Sequence, residues 1–472
     1  MTASPAPLRL TWVQPEDLVG HELAQAALDG RDVRAIEERW RAAGGHPAPE
    51  RAGASPGPTP PGLRALAVRL LDELAALADP WAAREPTALA DLRAATPQPP
   101  AATTPPPDGA AFTARLEAGW LGRAVGCLLG KPVEKLPLDG IRQLAAATGN
   151  WPLSGYFTER GLAPALAARY PWNRRSRPTS LAENIDGMPE DDDLNYPLLG
   201  LLLLEAHGHS FTTADVAGLW LAELPAGRTF TAERVAYRNL LDGVEPPATA
   251  THHNPFRHWI GALIRADIHG WTHPGDPAAA AGAAWRDAVL THTGCGVHGA
   301  LFAAALTARA AGGGADVHTC LADALRVVPP ESRLAAAVRH GIALAEAEPT
   351  GTAAGFATVV DRLHAAHGHH HWVHVLPNVA LLAAALTHAD GDFEGAVCRV
   401  VSGGWDTDSN GATAGSVTGL LAGAPDALPA AWTAPLKNRL ATTVGGLDGI
   451  GFDALARRTA AVAVTASKES TP

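Results

Sequence analysis

Apolar positions along most of this chain recur every three to four residues, and alternation with a period of two is not seen. From residue 108 onward that spacing predicts helices near 111–130, 194–206, 213–223, 231–241, 256–267, 277–290, 298–311, 334–347, 354–366, 377–388, 393–401 and 411–422. Gly, Pro, Asp and Asn gather between these stretches, as connecting turns require. No hairpin signature and no fixed-length repeat is found, which argues against a β architecture and against a solenoid. The expectation is an all-α chain with one large compact helical domain over 108–465 and a short tail, 466–472. Residues 1–107 differ in texture. There Leu63, Leu66, Ala67, Leu70, Leu71, Leu74 and Leu77 share helical spacing, and Pro80 follows the Asp79 that ends the pattern. Proline-rich breaks at 46–62 and 96–107 predict extended, unpacked linkers. This first part is expected to be a helical accessory layer, packed on the main body or on another subunit.

Composition supports that picture. Of 472 residues, 47% are apolar, enough for a large core, and 18% are charged. Alanine and leucine dominate the apolar set while aromatics make up 6%, which favours helices over packed sheets. A formal net charge of −11 argues against nucleic acid as a partner, because phosphate backbones need a basic footprint. Cys127, Cys295, Cys320 and Cys398 are far apart with no CxxC pairing, as expected of reduced core thiols. No signal-peptide pattern opens the chain and no apolar run reaches membrane-spanning length, so a cytoplasmic protein is expected.

Two acidic stretches stand out. Asp406, Asp408 and Ser409 fall within four positions, followed by an apolar run with Gly411, Gly415 and Gly419 at helical spacing. Glu190, Asp191, Asp192 and Asp193 are consecutive and precede the apolar run that begins at Leu194. Acids at a helix start are favoured by capping and by the helix dipole, which accounts for one or two carboxylates in each stretch. Two such mouths facing each other supply instead the hard oxygen ligands of one magnesium ion or a pair. Between Gly119 and Glu134 a further helix carries Gly119, Gly122, Gly126 and Gly130 close to one face, which calls for the close approach of another backbone. That helix should stop at Gly130, before Lys131-Pro132, leaving Glu134 in the following loop.

Gly261 and Arg265 lie one helical turn apart, where a backbone and a guanidinium can face an anion; an ordinary amphipathic helix is the alternative. His292 sits just past an apolar helix, as a C-cap would. The run from His367 to His374 tempts a zinc assignment, but neighbouring histidines point apart and no Cys or Asp spacing completes a tetrahedral set. It is expected to be mostly a solvated loop, with His374 and Asn378 aimed inward.

With these residues assembled, the chain resembles the ADP-ribosylglycohydrolase family, the helical dimetal hydrolases that remove ADP-ribose from proteins and related acceptors. It looks like a divergent member of the dinitrogenase-reductase-activating glycohydrolase type, bacterial in character, with an N-terminal extension. Gly119 to Glu134, Pro189 to Tyr196 and Gly403 to Gly419 carry the match in family order. Glu190 stands where the family has a threonine, and Asp191 and Asp192 fit its two aspartates. Trp405 replaces a glycine and Ser409 a threonine in the second motif, while Cys127 replaces the aspartate of the first glycine motif.

The resemblance implies an enzyme that hydrolyses the glycosidic bond at C1″ of an ADP-ribosyl group on a protein or small-molecule acceptor. It implies two magnesium ions, or manganese in their place, on Glu190, Asp191, Asp192, Asp406, Asp408 and Ser409. Glu134 or Asp192 would position or deprotonate the water. Gly261, Arg265 and His292 would orient the diphosphate and the far ribose, with His374, Asn378 and Trp405 shaping the mouth. A glycosidase for another nucleoside-derived metabolite, or an ADP-ribose-binding protein without turnover, is the alternative.

Overall fold

The computed structural model describes residues 10–48, 59–103 and 109–469, with side chains to residue 463. Among these residues the chain is all-α; the only β features are isolated bridges, such as Trp259 with His374. Among the described residues no helix is long and apolar enough to cross a membrane.

At the centre run the Gly109–Gly130 and Thr407–Ala422 helices, packed backbone against backbone. A Cβ on Gly122 would land on the Gly415 carbonyl oxygen, and one on Gly126 on that of Gly411. The relation is reciprocal: Cβ atoms on Gly411, Gly415 and Gly419 would strike the carbonyls of Gly126, Gly122 and Ala118. The glycine face predicted from spacing therefore has its partner in the second glycine-rich segment. At one end of this seam Thr407 Oγ1 donates to the Gly130 carbonyl at 2.9 Å. The end of one helix is thereby locked to the start of the other.

Around this pair stand further buried helices, including Asp192–His207, Gly294–Gly312 and Val375–His388. Most predicted helices are present within a few residues. The predicted 256–267 helix is not: it is broken into Gly261–Ile264 and Asp267–Trp271 and is buried throughout. The 138–147, 317–325 and 452–469 helices were not anticipated.

In the first part of the chain, Pro15–Leu28, Arg34–Ala42, Pro61–Ala75 and Leu89–Ala95 are helical. This layer lies against the main body. Glu22 pairs with Arg257 at 2.6 Å, Asp29 with Arg257 at 3.3 Å and Arg333 at 3.0 Å, and Glu85 with Arg333 at 2.7 Å. Much of the 46–62 break, and 104–107 of the second, lie outside the described residues, as do 470–472 of the tail. Residues 96–103 form no helix and are mostly exposed, tied to the body where Thr103 N donates to the Gly275 carbonyl and Arg326 donates to the carbonyls of Gln98 and Pro99. A cavity of about 360 Å³ lies in the seam between layer and body, lined by polar groups including Arg31, Glu85, Arg257 and His258.

Candidate functional site

Three chain segments converge at the closed end of the glycine seam. The 109–130 helix runs into a short 3-10 turn, Lys131–Val133, and Glu134 follows in extended backbone, as the Lys131-Pro132 step predicted. Asp191 is the N-cap of Asp192–His207, its Oδ1 accepting from Asp193 N at 2.9 Å. Asp406 precedes Thr407–Ala422 but makes no side-chain cap bond, and its carboxyl faces that of Asp408 instead. Behind it, Asn378 in the first turn of Val375–His388 accepts from Asp406 N at 3.1 Å and from Asn410 Nδ2 at 2.6 Å. Asn378 itself is anchored by donating to the carbonyls of Trp372 and His374. Its role is to position the second acidic motif.

Charge divides the carboxylates into two sets. Asp191 forms an ion pair with the buried ammonium of Lys131. Burial alone would raise its pKa, but Lys131 and the bond from Asp193 N hold it below the usual range. Asp193 faces Arg123 at 3.6 Å and the Cys127 thiol at 3.8 Å; Arg123, fully buried, also holds Asp267 at 2.7 Å. Glu190 is turned to Arg228 at 2.8 Å and accepts from Asn195 Nδ2 at 3.0 Å. Asp193 is balanced only in part, since burial, then Asp191 and Asp408, still push it well above the carboxylate range; Asp191 and Glu190 are compensated by the protein.

Asp192, Asp406 and Asp408 are not. Among the described residues no Lys or Arg forms an ion pair with any of them. Burial, then repulsion from Asp191, Asp408 and Glu134, pushes Asp192 well above the carboxylate range. Asp406 is raised by burial and by Asp408. Burial, then the Glu134 and Asp191 charges, brings Asp408 up to about 7. Glu134 is itself held by Asn173 Nδ2 at 2.6 Å and Lys135 at 2.6 Å. Cys127, Asp191 and Asp193 lie closer together, their ligand atoms within 4.8 Å, with Lys131 and Arg123 already beside them. The uncompensated trio fits a hard divalent cation, since carboxylates crowded in low dielectric without a counter-charge favour one. Ser409, with Asp408 Oδ1 accepting from its N–H at 3.2 Å, lies next to them.

Other predicted site residues have their polar groups or rings engaged within the protein. Arg265 is 2% exposed, and all five of its donors are engaged by Asp287, Glu233, Gly261 O and Thr291. It has none left for a diphosphate. A Cβ on Gly261 would meet the Glu233 carboxylate, so that glycine makes room for the same cluster. His292 is buried there too, its Nδ1 at 2.6 Å from Thr291 Oγ1 and its Nε2 without a partner. Trp405, at a φ of +56°, stacks on His364 with ring centroids 3.8 Å apart. His374 is the N-cap of the 375–388 helix.

Lys131 and Arg123 were missed in the sequence. Each is a long cation inside an otherwise apolar, glycine-faced segment, and that exception was the available signal.

Comparison with protein families matches residues 108–468 to the family described as ADP-ribosylglycohydrolase. A search of curated proteins gives no match. A solved structure described as an "ADP-ribosylglycohydrolase-related protein complex" is similar at 20% identity, over 76% of this chain and 99% of that one, with a TM-score of 0.45. With the family match spanning the glycine seam and both acidic motifs, the chain belongs to the ADP-ribosylglycohydrolase family.

Proposed function

We propose that this protein hydrolyses the glycosidic bond at C1″ of an ADP-ribosyl group, using divalent cations of the magnesium class. The observation that carries the reading is the uncompensated trio Asp192, Asp406 and Asp408 at the mouth of two glycine-locked helices. These carboxylates, with Ser409 and with Asp191 once it exchanges its Lys131 contact, would hold the ions. Bound there, the ions would supply Lewis-acid contacts to ribose hydroxyls and lower the pKa of water. The protein's own contribution is threefold. Asn378 and the glycine seam fix the spacing of the acids, so little reorganisation is needed during reaction. Their negative charge stabilises the oxocarbenium character developing at C1″. Glu134, held by Asn173 and Lys135, would orient the water and take its proton, with Asp192 the alternative base.

The test is release of ADP-ribose from ADP-ribosyl-arginine, ADP-ribosyl-serine peptide, O-acetyl-ADP-ribose and ADP-ribosylated nucleic acid, with magnesium or with EDTA. The expected outcome is turnover of at least one substrate with magnesium only, and its loss by a factor of about 10² or more in Asp406→Ala. Undiminished turnover in that variant sinks the assignment of the site. Binding of ADP-ribose without any turnover sinks the hydrolase.

A further inference from the structure

The histidine run left outside the mechanism acquires a partner that its sequence does not show. His374, His258 and Cys295 come together with their ligand atoms all within 4.8 Å of one another, and all three are buried. The backbone holds them there. Residues 258–260 pair with 373–375: Ile260 N donates to the Val373 carbonyl at 3.0 Å and Val375 N to the His258 carbonyl at 3.1 Å. Thr293 N donates to the Arg257 carbonyl at 3.2 Å, which brings in Cys295 in the first turn of the 294–312 helix.

Two features of these side chains point to a ligand. His374 Nε2 is buried and has no hydrogen-bond partner, while Nδ1 accepts from Leu376 N at 3.2 Å. His258 Nδ1 lies 3.5 Å from the Asp29 carboxylate and 3.1 Å from the Gln25 amide. A carboxylate behind one ring nitrogen is how metal-bound imidazoles are oriented, and it leaves Nε2 to coordinate. His370 stands next to this group, its ring centroid 4.6 Å from that of His374 and its own Nδ1 buried without a partner.

We propose that His258, Cys295 and His374 form a structural zinc site separate from the carboxylate site, its fourth position filled by water on the side of His370. One sulfur and two imidazoles suit a tetrahedral, borderline-soft ion, whereas magnesium demands oxygen ligands. On binding, the Cys295 thiol proton leaves to solvent and the sulfur bonds the ion. In His374 the proton moves from Nε2 to Nδ1, so the bond from Leu376 N is given up and Nε2 coordinates. Cys295 is a neutral thiol without the ion, because burial pushes its pKa up. The site's place in the fold gives it a consequence. Asn378, which positions Asp406, donates to the His374 carbonyl one turn into the same helix. A metal at His374 therefore pins the support of the second acidic motif.

Purified full-length protein, washed with excess magnesium, should retain about one equivalent of zinc per chain. Cobalt-substituted protein should show a thiolate-to-cobalt charge-transfer band, lost along with the zinc in Cys295→Ser. His374→Asn, which preserves a capping side chain, should also lose the zinc. On the wild-type chain, a zinc-selective chelator should lower Tm, and zinc but not magnesium should restore it. Background zinc with no cobalt band in the wild type overturns the site. So does zinc, or a cobalt band, that survives in Cys295→Ser.

Discussion

Lys131 is the residue that most distinguishes this acidic site. Its ammonium sits inside a cluster of carboxylates, and burial, which lowers a lysine's pKa, is outweighed there by Asp191 and the other negative groups around it. It is thus a fixed cation competing with any divalent ion for Asp191. Replacing it by methionine keeps the length and removes the charge. The expected outcome of Lys131→Met is magnesium binding tighter by about tenfold, roughly 1.4 kcal/mol. The metal-free protein should be less stable by about 3 kcal/mol, because Asp191 is left as an uncompensated buried charge. Calorimetric magnesium titration and denaturant melts of the two proteins measure both effects; unchanged magnesium affinity means that Lys131 and the ion do not share a ligand. At this scale the sequence was only partly legible. Runs of acids were visible because like charges in a row are conspicuous. Which acids are already neutralised was not, because Arg123, Lys131 and Arg228 reach them across the fold. The same blindness placed Arg265 near a diphosphate, when Glu233 and Asp287, both distant in sequence, consume its donors.

At the scale of the element, the glycine seam decides where those residues stand. Glycine in a helix costs stability, so its repetition at every third or fourth position in two segments was a readable sign of contact. That the two segments contact each other is what the structure adds. The seam leaves no room for a methyl group: Gly126→Ala would drive a Cβ onto the Gly411 carbonyl, which is backbone and cannot swing aside. Overpacking of this kind should cost about 3 kcal/mol or more. It should also separate Glu134 from Asp406 and Asp408, so that magnesium binding falls along with stability. Gly218→Ala, at an exposed helical glycine with nothing nearby, is the control: it should leave magnesium affinity unchanged and raise stability by about 0.5–1 kcal/mol. A Gly126→Ala protein with wild-type Tm and magnesium affinity would show that the helices do not meet as described. The predicted 256–267 helix failed for a related reason. Its apolar periodicity is real, but the segment is buried on all sides, and its path follows from the pairing of 258–260 with 373–375 and not from one amphipathic face.

Over the whole molecule, two opposing populations of buried titratable groups set the response to pH. Asp192, Asp193 and Asp406 are raised well above the carboxylate range, and Asp408 to about 7, with burial the largest cause in each. His21 and His298 are lowered by burial, to about 3 and about 4. A raised carboxylate holds a proton in the folded state that the unfolded chain has lost, so its contribution to stability falls as pH rises from about 4 to its own raised pKa, about 7 for Asp408. A lowered histidine refuses a proton that the unfolded chain takes, so its contribution falls as pH drops below about 6.5. Without a divalent cation the two trends oppose each other. Magnesium binds the ionised carboxylates and must displace their protons, so the rise in Tm that it produces should grow from pH 5 to pH 8. With magnesium saturating, the histidine trend should remain, a loss of about 1.4 kcal/mol per pH unit below about pH 6.5 for each of His21 and His298. Melting curves at four pH values, with magnesium or with EDTA, read both trends at once. A magnesium effect that does not change with pH would place the ion away from Asp192, Asp406 and Asp408, whose shared protons are the reason to expect the dependence.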